Sequence, residues 1–393
     1  MRFDIPDDLS ESPPFNGTAL QALRKAQRVG ADALAAKLNV ARQTIDAFEA
    51  GSIEPTDQQV DKLAKLLGVS RYNFFGAALQ DQKDRAIDFR RFDESNRLST
   101  DGAKSIEQLR KQLRYAVKFL SLEQNVPIRQ GNPNRDASYI RNEIQLTTKT
   151  QLSFKNPTTL FRFIRTQIEE RFKIPVFSVS TSAEDFRGFA IQELGAWAVG
   201  YNSRDWSSGA RSFTLIHELA HVMAGAAGLS DPFNPLDDIE RYCNKVATLT
   251  LAPANLVIEA FNRFSDRHNQ PKPLVKSIAN YVSSSQFLVA IRLEELGQRR
   301  AGFARKWKAS FSQQDFPDYF NPSIPIRTEP NEGKKKLSFF GTLIPRLIKS
   351  AVKEGSITRN DSLRLFNLKY QYLDSAATEA EVRVKETRER GTS

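Results

Sequence analysis

Residues 211–223 read Arg-Ser-Phe-Thr-Leu-Ile-His-Glu-Leu-Ala-His-Val-Met, in a chain of 393 residues that holds only three histidines. Two of those three, His217 and His221, stand four residues apart. On a helix that spacing places both imidazoles on one face, roughly 6 Å apart, where they can converge on one metal ion. Apolar residues at 213, 215, 216, 222 and 223 support the helix, and Gly225 and Gly228 end it. Glu218 lies one residue round. From there its carboxylate can take the proton of a water attacking a carbonyl and later pass it to the leaving amine. Histidine is scarce enough here that two merely hydrogen-bonded core histidines at this spacing are a poor reading.

A catalytic zinc site has three protein ligands and an open position. His268 is a poor third ligand, because Asp266-Arg-His-Asn-Gln-Pro271 is a polar, loop-like stretch. Asp237, Asp238 and Glu240 are better placed, at the start of a second helical pattern over 239–253, and Glu240 is the preferred choice. Cys243, the single cysteine, could ligate a metal, but a lone cysteine is more often a buried apolar thiol.

The run Arg211-Ser-Phe-Thr-Leu-Ile-His-Glu-Leu-Ala-His221, followed by Ile239-Glu-x-x-Cys-Asn-x-x-Ala247 and closed by Leu251-Ala-Pro253, resembles the ImmA/IrrE family of zinc metallopeptidases. The resemblance implies a gluzincin-like site in which a glutamate on the second helix completes the metal group. Glu240 matches that glutamate. Asn244, one turn on, matches a further family position and would orient a ligand, although an ordinary core-edge amide fits it equally. One Zn²⁺ per chain is implied, with another divalent ion such as Mn²⁺ left open. Tyr201 and Tyr242 are candidates for stabilising the oxyanion. Upstream, 174–180, 188–192 and 196–202 read as a small antiparallel sheet with a hairpin at Glu193-Leu-Gly195. Its edge beside the metal helix would receive an extended peptide, or the strands only cover the helices.

Residues 18–75 show five short amphipathic segments: Thr18–Ala26, Ala31–Leu38, Arg42–Ala50, Asp57–Leu67 and Tyr72–Phe75, with Asn39-Val-Ala as a tight turn. They resemble the XRE or Cro/C1-type helix-turn-helix through Leu34-Ala-x-x-Leu38, Ile45, Phe48-Glu-x-Gly51, Pro55 and Leu63-Ala-x-x-Leu-Gly-Val69. In that geometry Arg42, Gln43 and Thr44 face base edges, with Asp46 a weaker candidate. Such helical modules also serve dimerisation or protein docking. A net charge of +11 favours an anionic partner.

The expected class is α+β and mostly helical. It comprises a helix-turn-helix domain over 14–79, a zincin-like peptidase domain over 86–300 and a basic helical region over 301–393. The peptidase core lies at about 150–255, followed by a helix-turn-helix-like pair over 256–300 that contacts DNA or buttresses the core. An amphipathic helix is expected from about 105 to 122, and residues 127–139, rich in proline, glycine and charge, read as a loop. A single cysteine excludes an internal disulfide and fits a reducing compartment. The N-terminus carries no apolar signal region and no apolar stretch approaches 18 residues, so a cytoplasmic protein without a membrane partner is expected. Two functions compete. One is a zinc endopeptidase joined to a DNA reader, in which a repressor or antitoxin is cleaved to regulate a stress, phage or mobile-element response; homodimerisation is compatible with it. The other is a transcription factor with a sensing or structural zinc site, which would be closed by a fourth protein ligand.

Overall fold

Asn39 ends one helix of the N-terminal module in the left-handed conformation (φ 59°), and this permits the short turn to the next. The structure is a computed structural model that describes residues 15–26, 29–67, 74, 99–124, 126–129, 131–181, 186–204, 207–226, 228–230, 238–268, 270–310 and 332–392. The chain forms two compact units that divide between Leu109 and Arg110. In the first unit, helices α1 (Gly17–Ala26), α2 (Ala31–Leu38), α3 (Arg42–Glu49) and α4 (Asp57–Leu67) enclose a core of Leu20, Leu34, Ile45, Phe48, Leu63 and Leu67. Inside it, Arg24 forks onto Glu49, with one arm at 2.8 Å, and also donates to the Val29 carbonyl at 3.1 Å. Of the expected fifth helix only Phe74 is described; it is buried against Phe15. The boundary expected between residues 79 and 86 lies outside the described residues.

Helix α5 (Thr100–Phe119) contains the division and buries Ile106, Leu109, Leu113 and Ala116, as its periodicity requires. The expected loop at 127–139 is only half a loop, because helix α6 spans Pro133–Glu143. Asn132 caps it by accepting from the amides of Asn134 and Arg135, and Pro133 occupies the first turn, where its missing N–H costs nothing. The same Asn-Pro pair that suggested a turn is a helix start. After α7 (Thr148–Leu152) comes α8 (Pro157–Arg171), which is buried from Leu160 to Glu169 except at Arg162.

The sheet contains β1 (Val176–Val179), β2 (Gly188–Glu193), β3 (Ala196–Asn202) and β4 (Gly228–Ser230), in the order β1-β3-β2-β4. The hairpin turns at Leu194 and Gly195, both with positive φ (51° and 81°). The sheet is mixed and not antiparallel, since β1 pairs with β3 in parallel. The reason is connectivity: β1 and β2 lie on either side of β3 and run in opposite directions, so the hairpin that returns β3 antiparallel to β2 makes it parallel to β1.

Helices α9 (Ser208–Met223), α10 (Asp238–Leu251), α11 (Ala254–Ser265), α12 (Pro271–Tyr281), α13 (Gln286–Glu295) and α14 (Phe303–Ala309) complete the main core. In the α12–α13 pair, α13 turns Leu288, Val289, Ala290 and Leu293 inward, and Ser283 donates to the Phe154 carbonyl at 3.2 Å. Those contacts are a buttress. Trp307, set among cations in the sequence, is 4 % exposed and anchors α14 in the core.

Helices α15 (Glu332–Phe340), α16 (Leu343–Lys353), α17 (Arg359–Phe366) and α18 (Tyr370–Thr392) belong to the second unit. They are locked to α8 by buried polar groups. Glu169 accepts from both the amide and the hydroxyl of Thr342 at 2.7 Å, and Arg165 donates to the carbonyls of Ser338 and Phe339 at 2.8 and 3.2 Å. The proline-broken stretch 317–330 lies outside the described residues, and no helix among those described is long and apolar enough to cross a membrane.

Candidate metal centre

Helix α9 is buried at nearly every position, and its polar side chains are held individually. Ser207 caps it, accepting from the Ala210 amide, and Arg211 ties its first turn down by donating to Ser208 Oγ (2.9 Å) and the Ser203 carbonyl (3.2 Å). Phe213, one turn before His217, stacks on its imidazole with ring centroids 6.0 Å apart. Gly225, at φ 68°, lets the Ala226 amide bond back to the His221 carbonyl, ending the helix soon after the second histidine.

Helix α10 is fixed at its far end. Its last carbonyls have no partner within the helix, and three distant side chains supply one each. Arg141 donates to Thr250 (2.6 Å), Gln151 to Leu251 (2.8 Å) and Arg292 to Ala252 (2.8 Å). Sequence reading found none of these three, because nothing local marks a side chain that serves a carbonyl more than 39 residues away.

These anchors bring three donors together. Glu240 Oε2 lies 3.1 Å from His217 Nε2, Glu240 Oε1 lies 3.2 Å from His221 Nε2, and the two Nε2 atoms are 3.0 Å apart. All three residues are at most 4 % exposed, and Glu218 is fully buried. Burial pushes the His217 imidazole below its usual value, against the opposing pull of Glu240 and Asn244. Burial would raise Glu240, yet hydrogen bonds from His217 and His221 outweigh it and hold the carboxyl down at about 2. The group is therefore a buried carboxylate facing two imidazole Nε2 atoms that lie 3.0 Å apart. Four-coordinate zinc with ligands at about 2.0–2.2 Å needs donor separations of roughly 3.3 Å, and the observed spacings fit it.

The other expected site residues fall in different places. Asn244 interacts with His217. Asp238 is exposed and ion-pairs with Arg241, and Asp237 lies outside the described residues. His268 meets Ser277 Oγ at 3.0 Å, and Cys243 is buried in the apolar core. Neither belongs to the three-residue group. The Tyr201 hydroxyl accepts from Arg165 at 3.2 Å, and the Tyr242 hydroxyl donates to Asp136 at 2.7 Å. Burial and then Asp136 push the Tyr242 phenol far up. Both tyrosines are thus engaged with other partners. In the first unit, Arg42, Gln43 and Asp46 are exposed on α3 and Thr44 is half-buried, with Arg42 Nη1 3.4 Å from Asp32 and its Nε 3.6 Å from Asp46.

A family model described as helix-turn-helix matches residues 20–72, and one described as an IrrE N-terminal-like domain, a peptidase family, matches residues 169–294. The second match contains β1 to β4, His217, Glu218, His221 and Glu240. No curated protein and no solved structure matches the chain significantly. The chain joins an XRE-type helix-turn-helix DNA-binding domain to an IrrE-like metallopeptidase domain, the architecture of the ImmA/IrrE family.

Proposed function

We propose that this protein is a zinc-dependent endopeptidase that cleaves a transcriptional repressor or antitoxin, with its own DNA-binding domain placing it near the genes concerned. The observation that carries the reading is the convergence of His217, His221 and Glu240, all buried, with the buried Glu218 adjoining His217 on the same helix. When bound, a divalent cation supplies Lewis-acid polarisation of the scissile carbonyl and makes water a better nucleophile. The chain's own residues do the rest. His217, His221 and Glu240 converge as the ligands, Glu240 supplies the negative charge, and Asn244 braces His217. Glu218 takes a proton from the attacking water and returns it to the leaving amine.

A peptide substrate is favoured by the sheet. β4 pairs with β2 only over Gly188–Ala190, so Ile191, Gln192 and Glu193 are matched by β3 on one side and not by β4 on the other. An extended segment can add to that edge through main-chain hydrogen bonds. On α3, Arg42, Gln43 and Thr44 are the proposed base-reading residues, with Asp46 helping to orient Arg42.

The test is to incubate the zinc-loaded protein, and separately the Mn²⁺-loaded protein, with a small helix-turn-helix repressor encoded beside its gene. A discrete fragment that disappears in Glu218→Gln is expected. Equal cleavage by that variant would overturn the mechanism, and a site that binds zinc but cleaves nothing would favour a sensing role.

A further inference from the structure

Gly188 opens β2 directly against the proposed base. A Cβ at this position would lie 2.4 Å from Thr214 Cγ2, 2.6 Å from Glu218 Oε1 and 3.0 Å from Glu218 Cγ. Gly188 is not among the glycines with positive φ, so the backbone there is one that any residue adopts. The position therefore requires glycine for space and not for conformation. Nor can the strand retreat, because Gly188 pairs with Tyr201 of β3 on one side and Ser230 of β4 on the other. Thr214 and Glu218 are four residues apart on α9, so both leave the helix on the same face, and both are buried. The start of α9 is fixed as well, since a Cβ on Gly209 would come within 2.8 Å of the Ser285 amide nitrogen. With strand and helix both held, the contact can be relieved only by the side chains of Thr214 and Glu218.

The geometry points to Gly188 as a positioning residue for Glu218: its missing side chain leaves a slot, walled by Thr214, that sets the orientation of the Glu218 carboxylate. This rests on the reading of Glu218 as the proton-transferring group. Its consequence is that an added methyl group shifts the carboxylate and leaves the metal ligands where they are.

The experiment measures two affinities on the full chain: zinc, by competition with a chromogenic chelator, and acetohydroxamate, by the visible spectrum of the Co²⁺-loaded protein. A hydroxamate bound to the metal presents a hydroxyl-derived proton that a correctly oriented carboxylate accepts. Gly188→Ala is expected to keep wild-type zinc affinity and to lose about tenfold in hydroxamate affinity, the scale of one charge-assisted hydrogen bond. Gly188→Ala combined with Thr214→Ser, which removes the closest clash, secures a folded variant and should show the same loss. In a Glu218→Ala background, Gly188→Ala should change hydroxamate affinity no further, because the two substitutions act on one contact. Wild-type hydroxamate affinity in Gly188→Ala, or a full additional loss in the Glu218→Ala background, overturns the inference. If Glu218→Ala alone leaves hydroxamate affinity unchanged, the role of Glu218 itself fails and the slot with it; if the wild type binds no zinc, the metal centre fails.

Discussion

His217, Glu218, His221 and Glu240 are at most 4 % exposed and held from several sides, whereas Arg42, Gln43 and Asp46 stand in solvent on an eight-residue helix. The metal centre is preorganised: its donors have already been desolvated and brought together, so removing one strands the others. Helix α3 holds its side chains only loosely. Exposed pairs such as Arg42 with Asp32 and Asp46 contribute under about 1 kcal/mol each, so Arg42 can exchange them for a base or a phosphate at small cost. Substitutions should therefore act steeply in the metal centre and by degrees on α3, where salt should also matter.

The largest expected effect is on chemistry. Glu218→Gln should lower cleavage of a substrate repressor by about 10²–10⁴-fold while zinc content, measured by elemental analysis, stays at the wild-type level. Next is a place where the first unit resembles the candidate metal centre, the buried Glu49 carboxylate held by half-buried Arg24. Because Glu49 is buried, Arg24→Ala leaves its carboxylate uncompensated and should cost the first unit about 3 kcal/mol in a denaturant titration. A loss below the range of a surface pair would erase the parallel. Arg42→Ala should weaken operator binding by about 1–3 kcal/mol in fluorescence anisotropy and flatten its salt dependence, with the fold unchanged.

Asn244→Ala should weaken zinc binding about tenfold, because a ligand-orienting contact is lost and no ligand is. The smallest effect is read on metal-free protein between pH 6.5 and 5.5. Burial lowers the His217 pKa below its ordinary 6.5, so the unfolded chain takes up the proton first. Stability should then be full above pH 6.5 and decline as pH falls, by at most about 1.4 kcal/mol per unit, and His217→Asn should remove that slope.

Much of this architecture was legible in the sequence. Helices Ala31–Leu38 and Asp57–Leu67 fall where their periodicity and turn residues place them, and the hairpin turns at Leu194-Gly195 as the glycine suggests. The i, i+4 histidines needed only a helix to meet. Glu240 was harder: among several carboxylates its selection depends on how α10 docks, and that is set by Arg141, Gln151 and Arg292 from remote segments. Helix α8 was not legible, because Arg165, Gln167 and Glu169 interrupt its apolar pattern and their justification, Thr342 and its neighbours among others, lies up to 174 residues away. Strand β4 is three residues long and has too little sequence to show alternation. Net charge says less about where an anionic partner binds. Residues 20–72 hold eight basic and six acidic side chains, so the +11 excess sits mostly outside the helix-turn-helix match.

The central claim is that His217, His221 and Glu240 form one three-ligand metal site, and zinc titration of the full-length chain tests it most directly. About one zinc per chain is expected for the wild type, Asp238→Ala and His268→Ala, with tight binding lost in His217→Ala, His221→Ala and Glu240→Ala. Wild-type affinity in Glu240→Ala, or loss of zinc in His268→Ala, would contradict the account.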